Sequence, residues 1–143
     1  MDLFRALDIS ASALAAQRTR MEVITENLAN ADTAVGANGR PYQRKVVRLQ
    51  SIEPESFPSA LGRAGSPRGG VQVTGVTETQ DPPRRVYQPG HPQAGPDGFL
   101  ELPNLNPLVE MVDMLASTRA YEANVTAFQA TKSMAAKLIE LLR

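Results

Sequence analysis

Cysteine and tryptophan are absent from this sequence, and histidine occurs only once, as His91. The lack of cysteine excludes a disulfide framework and thiolate metal sites. A catalytic or metal-binding His91 would have neither a second histidine nor a cysteine as its partner, so we expect its imidazole to hydrogen-bond to nearby backbone in a loop. We therefore expect no cofactor, no metal and no enzymatic activity.

A net charge and a long apolar run are also missing. Fifteen Lys and Arg balance fifteen Asp and Glu, whereas a nucleic-acid-binding protein normally carries a basic excess. No stretch approaches the roughly 18 to 20 apolar residues of a membrane span. Asp2, Arg5 and Asp8 interrupt the apolar run that a signal peptide needs. We expect a protein that binds no nucleic acid, is not an integral membrane protein and does not use the general secretory route.

Glycine and proline are confined to the middle of the chain. All ten glycines lie between Gly36 and Gly98, and all eleven prolines lie between Pro41 and Pro107. Because these residues disfavour helix interiors by about 1 and 3 kcal/mol each, their distribution predicts two helical arms around an irregular middle. The predicted domains are an N-terminal helix (1–33), a central β domain with loops (34–104) and a C-terminal helix (105–143).

The C-terminal arm has a helix-start signal and a regular apolar period. Asn106 is a suitable N-cap, and Pro107 suits the first helical position. From Met111, alternating steps of three and four residues meet apolar or aromatic side chains at eight of ten positions. This 3.5-residue repeat is typical of coiled-coil packing. The predicted seam is Met111, Met114, Thr118, Tyr121, Val125, Phe128, Lys132, Ala135, Ile139 and Leu142.

The N-terminal arm repeats this pattern less strictly. One row is apolar at intervals of seven (Leu7, Leu14, Met21, Leu28), and its companion row is half polar (Leu3, Ser10, Gln17, Ile24). We expect the helix to be capped by Asp2 and to end near Ala31. The predicted fold is mainly α, with the terminal helices pairing as a coiled coil around an inserted, β-hairpin-containing domain.

Two hypotheses explain what covers the apolar seam. The arms could fold against the middle as one compact domain, but the middle offers few large apolar residues. The favoured hypothesis is that the arms complete their burial against other copies of the chain, since pairing two such helices alone is marginal. The abundant alanines either reflect helix propensity or let neighbouring helices come close. The predicted assembly residues are Leu7, Leu14, Met21, Ile24, Leu28, Met111, Met114, Tyr121, Val125, Phe128, Ile139 and Leu142.

The middle of the chain predicts a small β element. Residues 42–52 and 71–79 have β-branched content and are expected as strands, with a bulge at Gly75. Residues 98–102 are a possible last strand. The proline-rich segment 81–97 is expected to lack regular structure, and residues 53–70 to form a mobile loop.

Two segments resemble the axial proteins of the bacterial flagellum. Asn27-Leu28-Ala29-Asn30 resembles their Asn-Leu-Ala-Asn motif, and the run from Pro103 to Leu142 resembles their C-terminal signature. The segment VYQPGHPQAGPDGFLELPN (86–104) resembles the proximal-rod members of the family, with Phe99 where tyrosine is expected. The matching C-terminal positions are Asn104, Asn106, Glu110, Met111, Arg119, Tyr121, Glu122, Asn124, Lys132 and Met134.

The resemblance implies a structural role. In that family, paired terminal helices line a helical tube, the periplasm-spanning rod of the basal body, which transmits torque from motor to hook and conducts exported subunits. The implied partners are copies of the chain, other rod proteins, the proteins at the base and export-gate junction, and the flagellar type III exporter. Asn27 and Asn30 are expected to close the first helix. The alternatives are another rod subunit, a cytoplasmic coiled-coil adaptor, or a secreted regulator of the export apparatus.

Overall fold

The described part of the chain forms two long helices and four short strands. In the computed structural model, the described residues are 3–36, 39–52 and 69–141. Within them, no helix is both long enough and apolar enough to cross a membrane. The architecture is mainly helical with a small β part, as predicted. The elements are α1 (Leu3–Ala29), β1 (Lys45–Ser51), β2 (Val71–Glu78), β3 (Arg84–Tyr87), β4 (Phe99–Leu102) and α2 (Pro107–Leu141).

The start of α2 follows the predicted cap. The Asn106 side-chain oxygen accepts a hydrogen bond from the Leu108 amide at 3.0 Å, and the Asn106 carbonyl accepts the Val109 amide. Pro107 occupies the first helical position, where no amide donor is needed. The N-terminal arm ends at Ala29, two residues before the predicted end. Its expected cap, Asp2, lies outside the described residues, as does Leu142.

The two helices run antiparallel and contact each other. The Asn27 side chain near the end of α1 meets Glu110 at the start of α2, and the Thr118 hydroxyl lies 3.7 Å from the Met21 sulfur further along. At about 1.5 Å per residue, the 27 residues of α1 span about 40 Å and the 35 residues of α2 about 52 Å. Because α2 is longer, its last turns extend past the described start of α1.

A two-stranded ribbon lies alongside α1. Strands β1 and β2 pair antiparallel from Lys45↔Glu78 to Ser51↔Val71. The pairing skips Thr74, so the β-bulge lies there, one residue before the predicted Gly75. Most of the predicted 53–70 loop lies outside the described residues.

A second, smaller sheet joins β3 to β4 and carries the only apolar core cluster found among the described residues. Leu100 and Leu102 of β4 are buried with Ala34, and Val86 of β3 packs against them. The prediction that residues 81–97 lack regular structure is wrong for Arg84–Tyr87. These four residues lie between Pro83 and Pro89 and include no proline, so each of them retains the backbone N–H that pairing in a sheet requires.

Candidate assembly surfaces and the junction that orients them

The side of α2 that faces α1 is defined by two rows of residues. Half-buried apolar and aromatic residues form one row, as predicted: Met114, Tyr121, Phe128 and Ala135. The other row, which we name the polar row, recurs every seven residues: Glu110, Ser117, Asn124 and Thr131. Its members Glu110, Ser117 and Thr131 are the buried residues of α2.

The second row of the predicted α2 seam meets α1 only in part. Thr118 lies beside Met21 of α1, as predicted, but the buried positions of α2 lie one residue earlier than this row. Met111 is half exposed and Ile139 more so, at 69 %. Val125 is half-buried beside the seam, and Lys132 is exposed. Counting apolar residues selected this row because it is the more apolar one. That criterion fails here because large apolar side chains of α2 point away from α1.

On α1, the predicted positions are all buried or half-buried, and the Met21 sulfur lies 3.7 Å from the Thr118 hydroxyl of α2. Ile24 is buried, and the row Leu7, Leu14, Met21 and Leu28 is half-buried throughout. The companion row of Leu3, Ser10 and Gln17 is also half-buried. Whether these residues serve assembly remains a prediction.

Away from the seam, α2 presents an apolar face and a polar face. At 100° per residue, these two faces lie about a quarter turn apart. All their residues are exposed in the single chain. The apolar strip consists of Val109, Val112, Ala116, Ala123, Ala127, Ala130, Met134, Leu138 and Leu141. The polar strip consists of Arg119, Glu122, Thr126, Gln129, Ser133, Lys137 and Glu140.

The apolar strip is more than scattered surface hydrophobicity. Leu141 is 82 % exposed, and Val109, Val112, Met134 and Leu138 are each at least half exposed. The strip runs along α2 from its first turn to its last, with alanines in between. Contiguous apolar surface of this kind marks an interaction site.

The Asn27 side chain lies at the junction of α1, α2 and the ribbon and is only 1 % exposed. Its amide nitrogen donates to the Lys45 carbonyl at 2.9 Å and to the Glu110 carboxylate at 3.1 Å. Its oxygen accepts from the Lys45 amide and from the Tyr42 hydroxyl, both at 2.9 Å. The carboxamide thus pairs with the outer edge of β1 as a peptide group of a neighbouring strand would.

The charge of Glu110 is balanced inside this junction. Its carboxylate accepts from the Arg44 guanidinium at 2.7 Å, and Arg44 also approaches Asp113, with 3.7 Å between nitrogen and oxygen. Lys45 forms an ion pair with Glu26 nearby. A buried carboxylate is tolerated only with such partners. The junction therefore fixes both helices to the start of β1.

The role expected for the two motif asparagines is correct for only one of them. Asn30 closes α1, because its side-chain nitrogen donates to the Glu26 carbonyl at 2.9 Å and its oxygen accepts from Thr33. Asn27 lies inside the helix and does not cap it. Its partners, 18 and 83 residues away, form the junction instead.

Burial raises the pKa of Tyr42 from 10.0 to about 12, assisted by the negative charges of Glu26, Glu78 and Glu110. The folded state thus favours the neutral phenol, which donates to Asn27. Its contribution to stability is fully present below pH 10 and is lost between pH 10 and about 12, because the unfolded chain releases this proton first. We expect the free energy of unfolding to fall across this window in the parent protein.

Urea denaturation of the parent protein and of Tyr42→Phe, measured from pH 8 to 12, checks this expectation. The variant lacks the titrating phenol, so its free energy of unfolding should fall less steeply between pH 10 and 12. The variant should also be less stable than the parent at pH 8. Parallel curves for the two proteins would show that the Tyr42 phenol is not coupled to folding.

The far end of the ribbon is fastened to α1 at Ser12. The Ser12 hydroxyl donates to the Ile9 carbonyl at 2.7 Å and accepts the Val71 amide at 3.2 Å. Gly70 adopts a φ of +143°, and a Cβ atom there would lie 2.8 Å from the Ser12 oxygen. The Gly69-Gly70 pair therefore permits close approach of the ribbon to the helix.

Replacing Gly70 with alanine is expected to loosen this contact and lower the stability of the ribbon by about 1 to 3 kcal/mol, through strain at φ and the clash with Ser12. Gly75→Ala is the control, because a Cβ at Gly75 meets nothing within 4 Å. Hydrogen exchange of the β2 amides should rise in the first variant and stay near the parent value in the second. Equal exchange in both variants would contradict the fastening role of Gly70.

The remaining motif positions lie outside the junction. Arg119 and Asn104 are exposed, and Ala29 is the exposed last residue of α1. His91 lies in a turn, where its Nδ1 accepts the Gln93 amide at 3.2 Å, as expected. Across residues 3–36, 39–52 and 69–141, no cluster of side chains suited to a metal ion occurs.

Sequence reasoning missed Tyr42, Arg44, Ser12 and the polar row. Tyr42 and Arg44 belong to a segment expected only as a strand, and their partners are distant in sequence. A signal for the contact at Ser12 existed in the consecutive glycines at 69 and 70, which were included only in the expected 53–70 loop. The heptad spacing of Glu110, Ser117, Asn124 and Thr131 was visible, but polar residues do not indicate a seam.

Two family models match the chain. Residues 7–37 match the model described as "Flagella basal body rod protein", and residues 97–141 match "Flagellar basal body rod FlgEFG protein C-terminal". A protein of Bacillus subtilis named flagellar basal-body rod protein FlgC is 48 % identical, covering 99 % of both chains. Proteins with the same name in Salmonella typhimurium and Aquifex aeolicus are 40 % and 37 % identical, each covering at least 97 % of both chains.

Proposed function

This chain belongs to the FlgC family of flagellar basal-body rod proteins, and on that premise we propose that it forms part of the proximal rod by packing its paired helices against neighbouring subunits. It is a structural subunit of the rod, and its location is the flagellar basal body. The rod segment it forms would be a hollow drive shaft that transmits torque from motor to hook and conducts exported subunits.

The observation that carries this proposal is the exposed apolar strip of α2. A single chain leaves it open to water, although its helices are already in contact. Burying such a strip between subunits stabilises the assembly by about 25 cal/mol for each Å² of apolar area removed from water. We infer that α1 and α2 pair as a coiled coil, that the β part is an inserted domain, and that the strip packs against copies of the chain and other rod proteins.

The polar strip supports the proposed role of the rod as a channel for exported subunits. Its four charges are balanced, with Arg119 and Lys137 against Glu122 and Glu140. From Arg119 onward, a hydrated, neutral surface of this kind suits a channel wall, because an unfolded chain in transit finds there neither an apolar surface nor a strong field to adhere to. Nearer the start of α2, the same face carries the exposed Leu108 and Leu115. We infer that this strip faces the channel. Subunits would reach the rod through the flagellar type III exporter, and the base of the rod would meet the export-gate junction.

The full-length similarity decides between the alternatives. The C-terminal family model is named for other axial proteins, so the C-terminal helix alone would also fit another rod subunit. The relatives named FlgC match along 97 % or more of their own length, including the central segment. A coiled-coil adaptor has no corresponding support. The proposal assigns no catalysis to the chain.

Complementation tests the proposed function. A bacterial strain that lacks its own FlgC-type subunit should swim when it is given this chain together with the rod proteins from the organism in which this chain occurs. The chain should also copurify with basal bodies. A chain that is expressed stably and remains in the cytoplasmic fraction, without restoring basal bodies, would favour the adaptor.

A further inference from the structure

We propose that two exposed apolar surfaces at opposite ends of α2 bind each other in successive subunits, so that the last turns of one α2 pack on the start of the next. The first surface, which we name the start patch, consists of Leu108, Met111 and Leu115. The second, which we name the end segment, consists of residues 136–141. This contact rests on the proposed function, because it specifies how rod subunits would join head to tail.

The end segment has no partner on any side within the part of the chain that the structure describes. All six residues from 136 to 141 are exposed, and together they pass around the whole helix. Three of them are large and apolar, and each is more than half exposed: Leu138, Ile139 and Leu141. Ile139 lies more than a quarter turn from the apolar strip, so a neighbour seated only on the strip would leave it in water. The end segment therefore needs a second cover.

The start patch lies on the same face of α2 as the polar strip. Its three residues are each more than half exposed, and at 100° per residue they fall within the arc that holds Arg119 and Glu122 further along. If this face lines the channel, an open start patch would place large apolar side chains on the channel wall. An unfolded chain in transit would adhere to such a patch. A covered start patch is therefore the arrangement that suits the proposed channel.

The two surfaces match in extent and lie at opposite ends of one helix. Residues 108–115 and residues 136–141 each occupy about two turns of α2. A contact that propagates into an open helical assembly joins two different patches of the same molecule, because each subunit uses one patch below and the other above. This chain supplies both halves of such a contact. The occupant of the start patch is accordingly the end segment of a second copy.

Electrostatics favours this orientation. The start of a helix carries partial positive charge and its end partial negative charge. When successive subunits point the same way, the end of one α2 approaches the start of the next, and these partial charges attract. The acidic side chains near the start, Glu110 and Asp113, lie on another side of the helix and approach Arg44. They do not oppose an apolar contact at the start patch.

Cross-linking in purified basal bodies tests the contact. Leu115→Cys combined with Ile139→Cys introduces the only two thiols of the chain. A short bis-maleimide should join them between subunits and yield dimers and larger multimers of this chain. Within one subunit the two positions are about 36 Å apart along α2, beyond the reach of the reagent. Thr126→Cys with Ile139→Cys is the matched control, because Thr126 lies on the same face about three turns further along, and it should yield several-fold less multimer.

A charge placed in the start patch provides an independent measurement. The ammonium of Leu115→Lys would lose its hydration against the end segment, so the yield of basal bodies should fall about tenfold or more. Thr126→Lys adds the same charge at an exposed position of the same face and should leave the yield near that of the parent. Adding Ile139→Glu to Leu115→Lys should restore part of the yield, because the new carboxylate can pair with the ammonium.

Three results would overturn the proposed contact. They are the absence of multimers of this chain in basal bodies that carry the Leu115 and Ile139 cysteines, cross-links that join these cysteines only to other rod proteins, and a Leu115→Lys variant that assembles as well as Thr126→Lys. Each is measured in a strain whose swimming the parent chain restores. Failure of the parent chain to restore swimming would contradict the proposed function instead.

Discussion

Replacing Asn27 with aspartate is expected to destabilise the junction by about 3 to 5 kcal/mol and to abolish rod assembly and motility. The new carboxylate would face the Lys45 carbonyl and the Glu110 carboxylate, which the Asn27 nitrogen now contacts at 2.9 and 3.1 Å. Two donated hydrogen bonds become two repulsive contacts in a site that is 1 % exposed. The loss is a large fraction of the 5 to 15 kcal/mol by which a typical domain is stable.

Asn30→Asp is the matched control, since the same change is made three residues away in the same motif. Its side chain bonds only at the exposed end of α1, so we expect a cost of about 1 kcal/mol or less. Thermal unfolding of the purified variants gives the stability, and swimming assays give assembly. If Asn27→Asp is no more harmful than Asn30→Asp, the junction does not have the role assigned to it.

A second variant tests the charge argument at the junction. Adding Glu110→Gln to Asn27→Asp restores a donor opposite the new carboxylate and keeps one acidic group in the site. Partial recovery of stability is expected, because the Lys45 carbonyl still lacks its donor and Arg44 has lost its buried partner. No recovery at all would mean that the cost arises elsewhere.

Replacing Ala127 with glutamate is the other change for which we expect a large effect, namely loss of rod assembly with little change in the isolated subunit. Ala127 is exposed in the single chain and lies in the middle of the apolar strip. In the proposed assembly another helix covers it, and a charge placed there would lose its hydration without gaining a partner. Motility and the yield of basal bodies measure the result.

Thr126→Glu provides the control one residue away. Thr126 is also exposed, but it lies on the polar strip, about a quarter turn around the helix. The same charge added there should allow assembly. Two variants that swim equally well would show that the apolar strip is not an interface.

The sequence allowed several elements to be predicted because local physics determines them. The absence of glycine and proline located both helices, and Asn106 with Pro107 located the start of α2. The strands β1, β2 and β4 followed from β-branched and apolar content. Strand β3 was not predicted, because its four residues lie between proline-rich segments and form a strand only by pairing with β4.

The seam of α2 was predicted only in part from the periodicity of apolar residues. This periodicity identifies the faces of a helix that avoid water, but it does not distinguish a face covered by the same chain from a face covered by another molecule. Met111 and Ile139 were therefore assigned to the seam, whereas Ser117 and Thr131 occupy it. For a subunit of an assembly, the most apolar face is not necessarily the intramolecular one.

The junction could not be predicted for a different reason. Glu110 had an ordinary explanation as an acidic residue near the positive end of a helix dipole. Its burial against Arg44 and Asn27 depends on contacts spanning 66 and 83 residues. Nothing local in the sequence indicates them.

We infer that the apolar strip of α2, which is exposed in the subunit, is covered in the rod. Because the chain has no cysteine of its own, a single Ala127→Cys substitution introduces a unique label site, and its reaction with a small maleimide can be compared in the purified subunit and in purified basal bodies. We expect rapid labelling of the subunit and strong protection in the basal body. Labelling at the same rate in both would contradict it.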